Sequence, residues 1–402
     1  MDMNQTPSAN RVHISFFGVR NAGKSSVMNA VTGQNIAVVS DVKGTTTDPV
    51  TKSMELLPLG PVTVIDTPGL DDTGSLGALR VAKTMQVLRK TDIAVLVADA
   101  AYFVQHGFRD TEKEILQMIA RRGLPHVIAL NKADLLQQAG DIALPGNNAV
   151  LVSAATGKGI FELKEKLAHL TQAAPEKFIL KDLVQPRQTA VLVIPIDKAA
   201  PKGRLILPQQ QVIRELLDIG ACAVMTQDGN LDATLRNLKE RPALVITDSQ
   251  AFGKVSRIVP EDLPLTSFSI LFARYKGNLQ KQLDAVKALD SIEDGDEILI
   301  SEGCTHHRQC DDIGTVKLPG WIRAYTKVQP HFSFTSGGEF PQDLSKYKMI
   351  IHCGACMLNE REMRSRLKTA QQQHVPMSNY GMVIAYTHGI LKRALRVFPD
   401  LK

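Results

Sequence analysis

The sequence predicts an α/β protein in three successive blocks. Short apolar runs alternate with helix-period segments along most of its length, a glycine-bearing loop joins the first run to the first helix, and a proline-bearing stretch interrupts the series near its middle. At 402 residues the chain exceeds a typical single domain and suits two or three. Apolar residues make up 44% and charged residues 22%, which is ordinary for a soluble globular chain and leaves no apolar run long enough to span a bilayer. Residues 1–11 are polar and lack the apolar core of a signal peptide. The formal charge of +6 is spread along the chain without a Lys/Arg block, so it reads as solvated surface, and neither a membrane nor a nucleic acid is expected as a partner.

The elements follow in order. In the first block, residues 1–173, apolar runs at 12–17, 62–65, 93–98, 126–130 and 149–152 read as buried strands of a mostly parallel sheet with helices on both faces. Residues 174–187, with Pro175 and Pro186, read as a linker. The second block, 174–264, has strands at 190–196, 222–226 and 243–247, with helices near 209–217 and 231–239. The third, 265–402, has strands at 297–301 and 349–352 and helices at 277–289, 360–373 and 382–397. There is no internal repeat or low-complexity tract.

Gly18-Val19-Arg20-Asn21-Ala22-Gly23-Lys24-Ser25 follows the first strand and opens a helix, which is the context a phosphate-binding loop requires. Glycines let the backbone wrap a phosphate, and successive N–H groups at the helix N-terminus, Ala22 to Ser26 among them, meet its negative charge. Lys24 is placed to reach the β- and γ-phosphates, and the Ser25 hydroxyl to ligate Mg²⁺. Asp66-Thr67-Pro68-Gly69 ends another strand, where Asp66 can hold Mg²⁺ through water and the Gly69 N–H can meet the γ-phosphate. Asn131-Lys132-Ala133-Asp134 ends a third strand. A carboxylate at Asp134 accepts from N1–H and the 2-amino group of guanine, donors that adenine lacks. Ser153-Ala154-Ala155 offers a backbone N–H to the guanine oxygen. Gly44-Thr45-Thr46-Thr47-Asp48 lies between the phosphate loop and Asp66, a polar segment suited to carry a Mg²⁺-ligating hydroxyl at Thr46. Together these motifs predict a P-loop GTPase domain followed by two further α/β domains, with Lys24, Thr46 and Asp66 as catalytic residues.

Over the first 170 residues or so, Asn21-Ala22-Gly23-Lys24-Ser25-Ser26 and Gly44-Thr45-Thr46 resemble the TrmE–Era–Era-like subgroup of translation-factor-related GTPases. The resemblance implies that Asn21 helps bind K⁺ beside the phosphates, where K⁺ takes the part of an arginine finger. Leu70 stands where other GTPases place a water-orienting glutamine, which implies slow turnover and leaves Asp71 and Asp72 as the acidic groups nearest that position.

Five cysteines do not read as a disulfide framework, and reduced thiols in a cytoplasmic chain point to metal or redox chemistry. Cys304-Thr305-His306-His307 and His352-Cys353-Gly354-Ala355-Cys356 each follow an apolar strand. Thiolates select iron–sulfur clusters, Zn²⁺ or Cu(I). Three readings stand side by side: thiols without metal, a zinc site on Cys304, Cys310, Cys353 and Cys356, and a [4Fe–4S] cluster on Cys304, Cys353 and Cys356. In the last, His306, His352 or Asp311 is the fourth ligand or an outer-sphere neighbour. Cys222, in a strand of the second block, reads as a small core residue. His307 reads as a solvent-facing neighbour, His331 and His374 as loop-flanking, and Trp321 as a packing anchor. Tyr380 and His388 either line the cysteine site or pack a C-terminal helix.

C-x-H, a long gap and H-C-x-x-C behind a GTPase domain resemble the [FeFe]-hydrogenase maturation GTPases, the HydF family, over essentially the whole chain. Val375-Pro376-Met377-Ser378-Asn379-Tyr380-Gly381 and His388-Gly389-Ile390-Leu391 add to the likeness. The resemblance implies a homodimeric cytoplasmic scaffold of three parts: a GTPase at 1–173, a dimerisation domain at 174–264 and a cluster domain at 265–402. It implies GTP, Mg²⁺ and a [4Fe–4S] cluster as cofactors. It also implies a transient di-iron precursor, received from radical-SAM maturases and delivered to apo-[FeFe]-hydrogenase. The competing expectation is a GTPase in RNA modification or ribosome assembly with a structural zinc site. Aromatics at 5% and the lack of a basic stripe speak against that.

Overall fold

The structure, a computed structural model, describes residues 7–34, 50–57, 59–67, 75–136, 143–171, 177–196, 205–303 and 312–398. Two compact units divide the chain, Met1–Pro175 and Glu176–Lys402.

In the first unit, β1 (Val12–Phe17), β2 (Val50–Leu56), β3 (Gly60–Asp66), β4 (Ile93–Asp99), β5 (His126–Asn131) and β6 (Ala149–Leu151) lie in the order β2-β3-β1-β4-β5-β6. Neighbours are parallel except β2 and β3, which are antiparallel. The near-continuous apolar runs of the central strands fit burial on both faces. Ile14, Phe16, Val64 and Val95 pack with Val27, Met28 and Val31 of the helix Lys24–Thr32, and with Leu163 and Leu167 of Ile160–Thr171. Phe17, Ile65 and Leu96 face the other way, against Val87 and Leu88 of Ser75–Lys90 and Ile115 and Ile119 of Asp110–Arg121. β2 is not expected from the sequence. It is an edge strand whose Val-Thr-Lys-Ser-Met-Glu-Leu mixes polar and apolar residues, so it carries no buried-strand signal.

The second unit holds β7 (Thr189–Val193), β8 (Cys222–Thr226), β9 (Leu244–Thr247) and β10 (Leu265–Ser267) in the order β10-β9-β7-β8. A further sheet, β12-β11-β13-β14, comprises β11 (Glu297–Ser301), β12 (His331–Thr335), β13 (Met349–His352) and β14 (Met377–Asn379). Both sheets are parallel throughout. One apolar core joins them, running through Val191, Ile246, Phe272, Ile298, Ile351 and Val383. The expected second and third blocks are therefore two sheets of one compact unit. β10 pairs with β9, which puts 265–267 in the second sheet, on the near side of the boundary expected at 264/265.

Other expectations change for physical reasons. The anticipated linker is packed from Ile179 onward: Ile179, Leu180 and Val184 are buried in the shared core. The Glu215 carboxylate accepts the N–H groups of Ile179, Leu180 and Lys181 at 2.9, 2.8 and 3.0 Å. Cys222 lies on the edge strand β8 and is exposed, not a core residue. His331 is the first residue of β12, directly after the loop 327–330, and so flanks a loop as expected. The expected C-terminal helix is two, Tyr380–Thr387 and Leu391–Leu395, separated by His388, Gly389 and Ile390. Trp321, on the helix Leu318–Thr326, packs against the core with its ring 5.5 Å from that of His388. Arg393, buried, donates to the carbonyls of Ser256, Val259 and Pro260 at 2.7, 2.7 and 2.6 Å, tying the C-terminal segment to the second sheet's connections.

Candidate functional site

In the first unit the C-terminal ends of β1, β3, β5 and β6 gather the predicted nucleotide residues, where a parallel sheet presents its ligand crevice. The loop after β1 depends on two glycines. A side chain at Gly18 would meet the Val97 carbonyl oxygen at 2.2 Å. Gly23 has φ +86°, and a Cβ there would lie 2.3 Å from Asn131 Nδ2. Asn131 fills that space with purpose: Nδ2 donates to the Ala22 carbonyl at 3.0 Å, and Oδ1 accepts from the Ala154 N–H at 3.1 Å. One buried amide thus ties the phosphate loop to the loop expected over guanine. Asn21 is exposed in the left-handed region at φ +59°, and Ser26 stands in the first turn of the helix.

Lys24 is 8% exposed, with Nζ donating to the carbonyls of Gly18 and Val19 at 3.0 and 2.9 Å. The Ser25 hydroxyl donates to Asp66 Oδ2 at 2.6 Å, while Asp66 Oδ1 is buried with no hydrogen-bond partner. Burial, opposed by Ser25 and Lys24, holds the Asp66 carboxyl above the usual carboxylate range. A buried, orphaned carboxylate oxygen beside a serine hydroxyl fits a hard divalent cation. At the other end of the pocket, Ser153 Oγ donates to Asp134 Oδ1 at 2.5 Å and accepts from the Thr156 N–H at 3.2 Å. Ala155 is exposed beside them. Thr46, Gly69, Leu70, Asp71 and Asp72 lie outside the described residues.

Sequence reasoning missed Asp99. Its Oδ2 receives Lys132 Nζ at 2.7 Å, and Oδ1 caps the next helix through the N–H groups of Ala101 and Tyr102. Burial raises this carboxyl, but the Lys132 and backbone hydrogen bonds outweigh it and hold it below the usual range. The only trace in the sequence is an aspartate closing an apolar run.

In the second unit, Cys353 and Cys356 follow β13 on a short turn. Cys353 Sγ accepts from the Gly303 N–H at 3.0 Å and the Ala355 N–H at 3.4 Å. Burial, the largest effect, pushes the Cys353 thiol up to about 11 and raises that of Cys356 as well. Two half-buried cysteines, one sulfur receiving backbone N–H groups, fit a metal centre that supplies the positive charge a thiolate pair needs. Cys304, His306, His307, Cys310 and Asp311 lie outside the described residues. Among the described residues no three His, Cys, Asp or Glu side chains gather to hold a metal ion.

His352 is fully buried and already engaged at both nitrogens. Its Nδ1 donates to the Cys353 carbonyl at 2.9 Å, and its Nε2 accepts from Arg366 Nη1 at 3.0 Å. Burial and the neighbouring guanidinium lower its pKa to about 3. As placed, it has no nitrogen free for iron and serves as a brace beneath the turn. Arg366, likewise buried, continues to Glu362 Oε1 at 3.0 Å and the Gly337 carbonyl at 2.7 Å. Tyr380 is buried and donates to Glu302 Oε1 at 3.1 Å, so it packs beside the strand end that leads to residue 304. Lys276 is also buried, and its Nζ donates to the carbonyls of Ala355, Cys356 and Leu358 at 3.0, 3.2 and 2.8 Å. Burial lowers its pKa to about 8. Neither Arg366 nor Lys276 belongs to a motif, so nothing in the order of residues points to them.

The family model of a 50S ribosome-binding GTPase matches residues 13–132. That of the hydrogen maturase F dimerization domain matches residues 179–277, and that of the hydrogen maturase F tetramerization domain matches 280–397. Among curated proteins, the tRNA modification GTPase MnmE of Chromobacterium violaceum is 35% identical over 161 residues, covering 40% of this chain and 34% of that protein. The MnmE of a Synechococcus strain is 37% identical over 184 residues, 45% of this chain and 38% of that protein. The chain therefore spans little more than a third of the length of these relatives. Among solved structures, a point variant of Aquifex aeolicus Era bound to GDP.AlF4- aligns at 18% identity and TM-score 0.36, covering 54% of this chain and 92% of that one.

Proposed function

Because the chain belongs to the hydrogen maturase F family, we propose that it is a GTP-hydrolysing scaffold for assembly of the [FeFe]-hydrogenase active site. The observation that carries this reading is the joining, in one chain, of a GTPase domain to the two hydrogen maturase F domains, with Cys353 and Cys356 at a strand end of the second. The proposed division of labour follows the sequence: nucleotide at 1–173, self-association at 174–264 with β10 completing that sheet, and cluster binding at 265–402.

In the nucleotide site, Ser25, Thr46 and Asp66 would hold Mg²⁺, and Lys24 would exchange its contacts with the Gly18 and Val19 carbonyls for the β- and γ-phosphates. The N–H groups of Ala22 to Ser26 bind phosphate oxygens, and that of Gly69 meets the γ-phosphate. Asp134 selects guanine, with Lys132, Ser153, Ala154 and Ala155 around the base and Asn131 joining the loops. Asn21 helps hold K⁺, which offsets developing charge, and turnover is slow because Leu70 cannot orient water.

Cys304, Cys353 and Cys356 would hold a [4Fe–4S] cluster, which supplies an iron open to exchangeable ligation. His306 and Asp311 remain proposed as fourth ligand or outer-sphere neighbours. The cargo is a di-iron precursor made by radical-SAM maturases and passed to apo-[FeFe]-hydrogenase in the cytoplasm, and the scaffold works as a homodimer.

Anaerobic reconstitution tests the reading. Iron and sulfide should bind in equal amounts, with the loss of any one of Cys304, Cys353 or Cys356 as serine destabilising the cluster and Cys310→Ser leaving it intact. A colourless chain with stoichiometric zinc, lost equally on Cys310→Ser, would overturn it.

A further inference from the structure

We propose that Lys276 is a positioning residue for the Cys353–Cys356 pair, using its ammonium to hold the backbone turn that spaces the two sulfurs. The inference deepens the cluster-binding reading above and rests on it for its purpose, but not for its geometry.

An ammonium has three donors, and here each has its own acceptor on one short segment: the carbonyl oxygens of Ala355, Cys356 and Leu358, at 3.0, 3.2 and 2.8 Å. Lysine is seldom buried, yet Lys276 is 2% exposed. Charge-assisted bonds to three carbonyls offset part of the desolvation that burial imposes. A neutral side chain of the same length would take this donor from all three oxygens, leaving Ala355 with the Leu358 N–H at 3.2 Å.

The turn has a feature that requires such a clamp. Ala355 is buried at φ +53°, a left-handed conformation that a residue with a Cβ adopts only when its surroundings enforce it. That conformation directs the Ala355 N–H to Cys353 Sγ at 3.4 Å, while its carbonyl accepts from Lys276. The lysine therefore holds the strained residue at its carbonyl, and the sulfur receives its N–H. Cys356, next along, has its own carbonyl on the same ammonium.

The origin of the clamp matters as much as its geometry. Lys276 closes the helix Phe268–Lys276, which leads directly from β10 of the second sheet. It falls within the segment matching the dimerization domain, 179–277, whereas the cysteines fall within the one matching the tetramerization domain, 280–397. A side chain from one domain thus sets the cysteine spacing of the next.

The test uses the full-length, metal-free chain, with hydrogen exchange of the amides at 354–358 and titration with Cd²⁺ as a thiolate probe. Lys276→Met should speed exchange there and weaken Cd²⁺ binding by about tenfold or more, the scale of a lost charge-assisted hydrogen bond. GTP hydrolysis should be unchanged. Adding Ala355→Gly should recover part of both effects, because glycine takes the left-handed conformation unaided. A lysine that merely filled the core would show no such rescue. Parental exchange and Cd²⁺ affinity in Lys276→Met, or no recovery in the double variant, would overturn the proposal. If Lys276→Met does not fold, Lys276→Arg carries the test: its larger, planar head replaces the three tetrahedral donor directions of the ammonium, and exchange at 354–358 should rise. Parental exchange in Lys276→Arg would be equally fatal. If the clamp is verified but reconstitution gives only zinc, the clamp stands and the cluster reading falls.

Discussion

Asp99 joins the loop after β5 to the helix that follows β4, through Lys132 on one oxygen and two backbone N–H groups on the other. Asp99→Asn should cost about 0.5–1 kcal/mol, the range for a partly exposed ion pair, in urea unfolding at neutral pH. The sign with pH is fixed. An unfolded aspartate titrates near 3.8, and the folded one lies lower. The contribution is therefore complete above that value and fades as pH falls through the folded pKa, so parent and variant should converge in acid. Lys24→Ala should abolish GTP hydrolysis without unfolding the chain, since the Lys24 ammonium rests on two carbonyls of the phosphate loop itself and not on the sheet's apolar core. Retained turnover would remove it from the catalytic set. Residues legible in the sequence are those whose chemistry requires a fixed tetrapeptide at a strand end, such as Asn131 and Asp134. Asp99, Arg366 and Lys276 escape because they act through backbone groups and scattered side chains, in combinations no motif encodes.

Secondary elements differ in how plainly they declare themselves. β1, β8, β11 and β13 match the sequence expectation to the residue, three of them because a central parallel strand must be apolar over its whole length. β2, β10, β12 and β14 do not announce themselves: each is short or lies at a sheet edge, and polar residues such as Lys52, Ser333 and Asn379 interrupt the run. The phosphate loop is equally demanding as an element. Gly23→Ala would force a Cβ against Asn131 at a positive φ, so GTP binding should vanish and thermal unfolding of the first unit should shift down by several degrees. The edge strand β8 exposes Cys222 and leaves Met225 55% exposed, within the segment matching the dimerization domain. Met225→Lys should weaken self-association of the full chain in sedimentation, as charge on an open edge opposes pairing. An unaltered dimer would place the interface elsewhere.

For the whole molecule, the nucleotide unit should turn over GTP in preference to ATP and respond to the monovalent cation. K⁺ should accelerate hydrolysis over Na⁺ at matched ionic strength, and identical rates would withdraw the role given to Asn21. The second unit has a different property, set by the apolar core that Val191 and Ile246 of one sheet share with Ile298 and Ile351 of the other. Neither sheet can melt without baring a face of its neighbour, so calorimetry should resolve one cooperative transition for both and a separate one for the nucleotide unit. Thermodynamic linkage then runs in both directions. A metal bound at the cysteine turn, as proposed, would raise the melting temperature of the β10-β9-β7-β8 sheet, and a second protomer docked on that sheet would defend the cysteine turn against thermal opening.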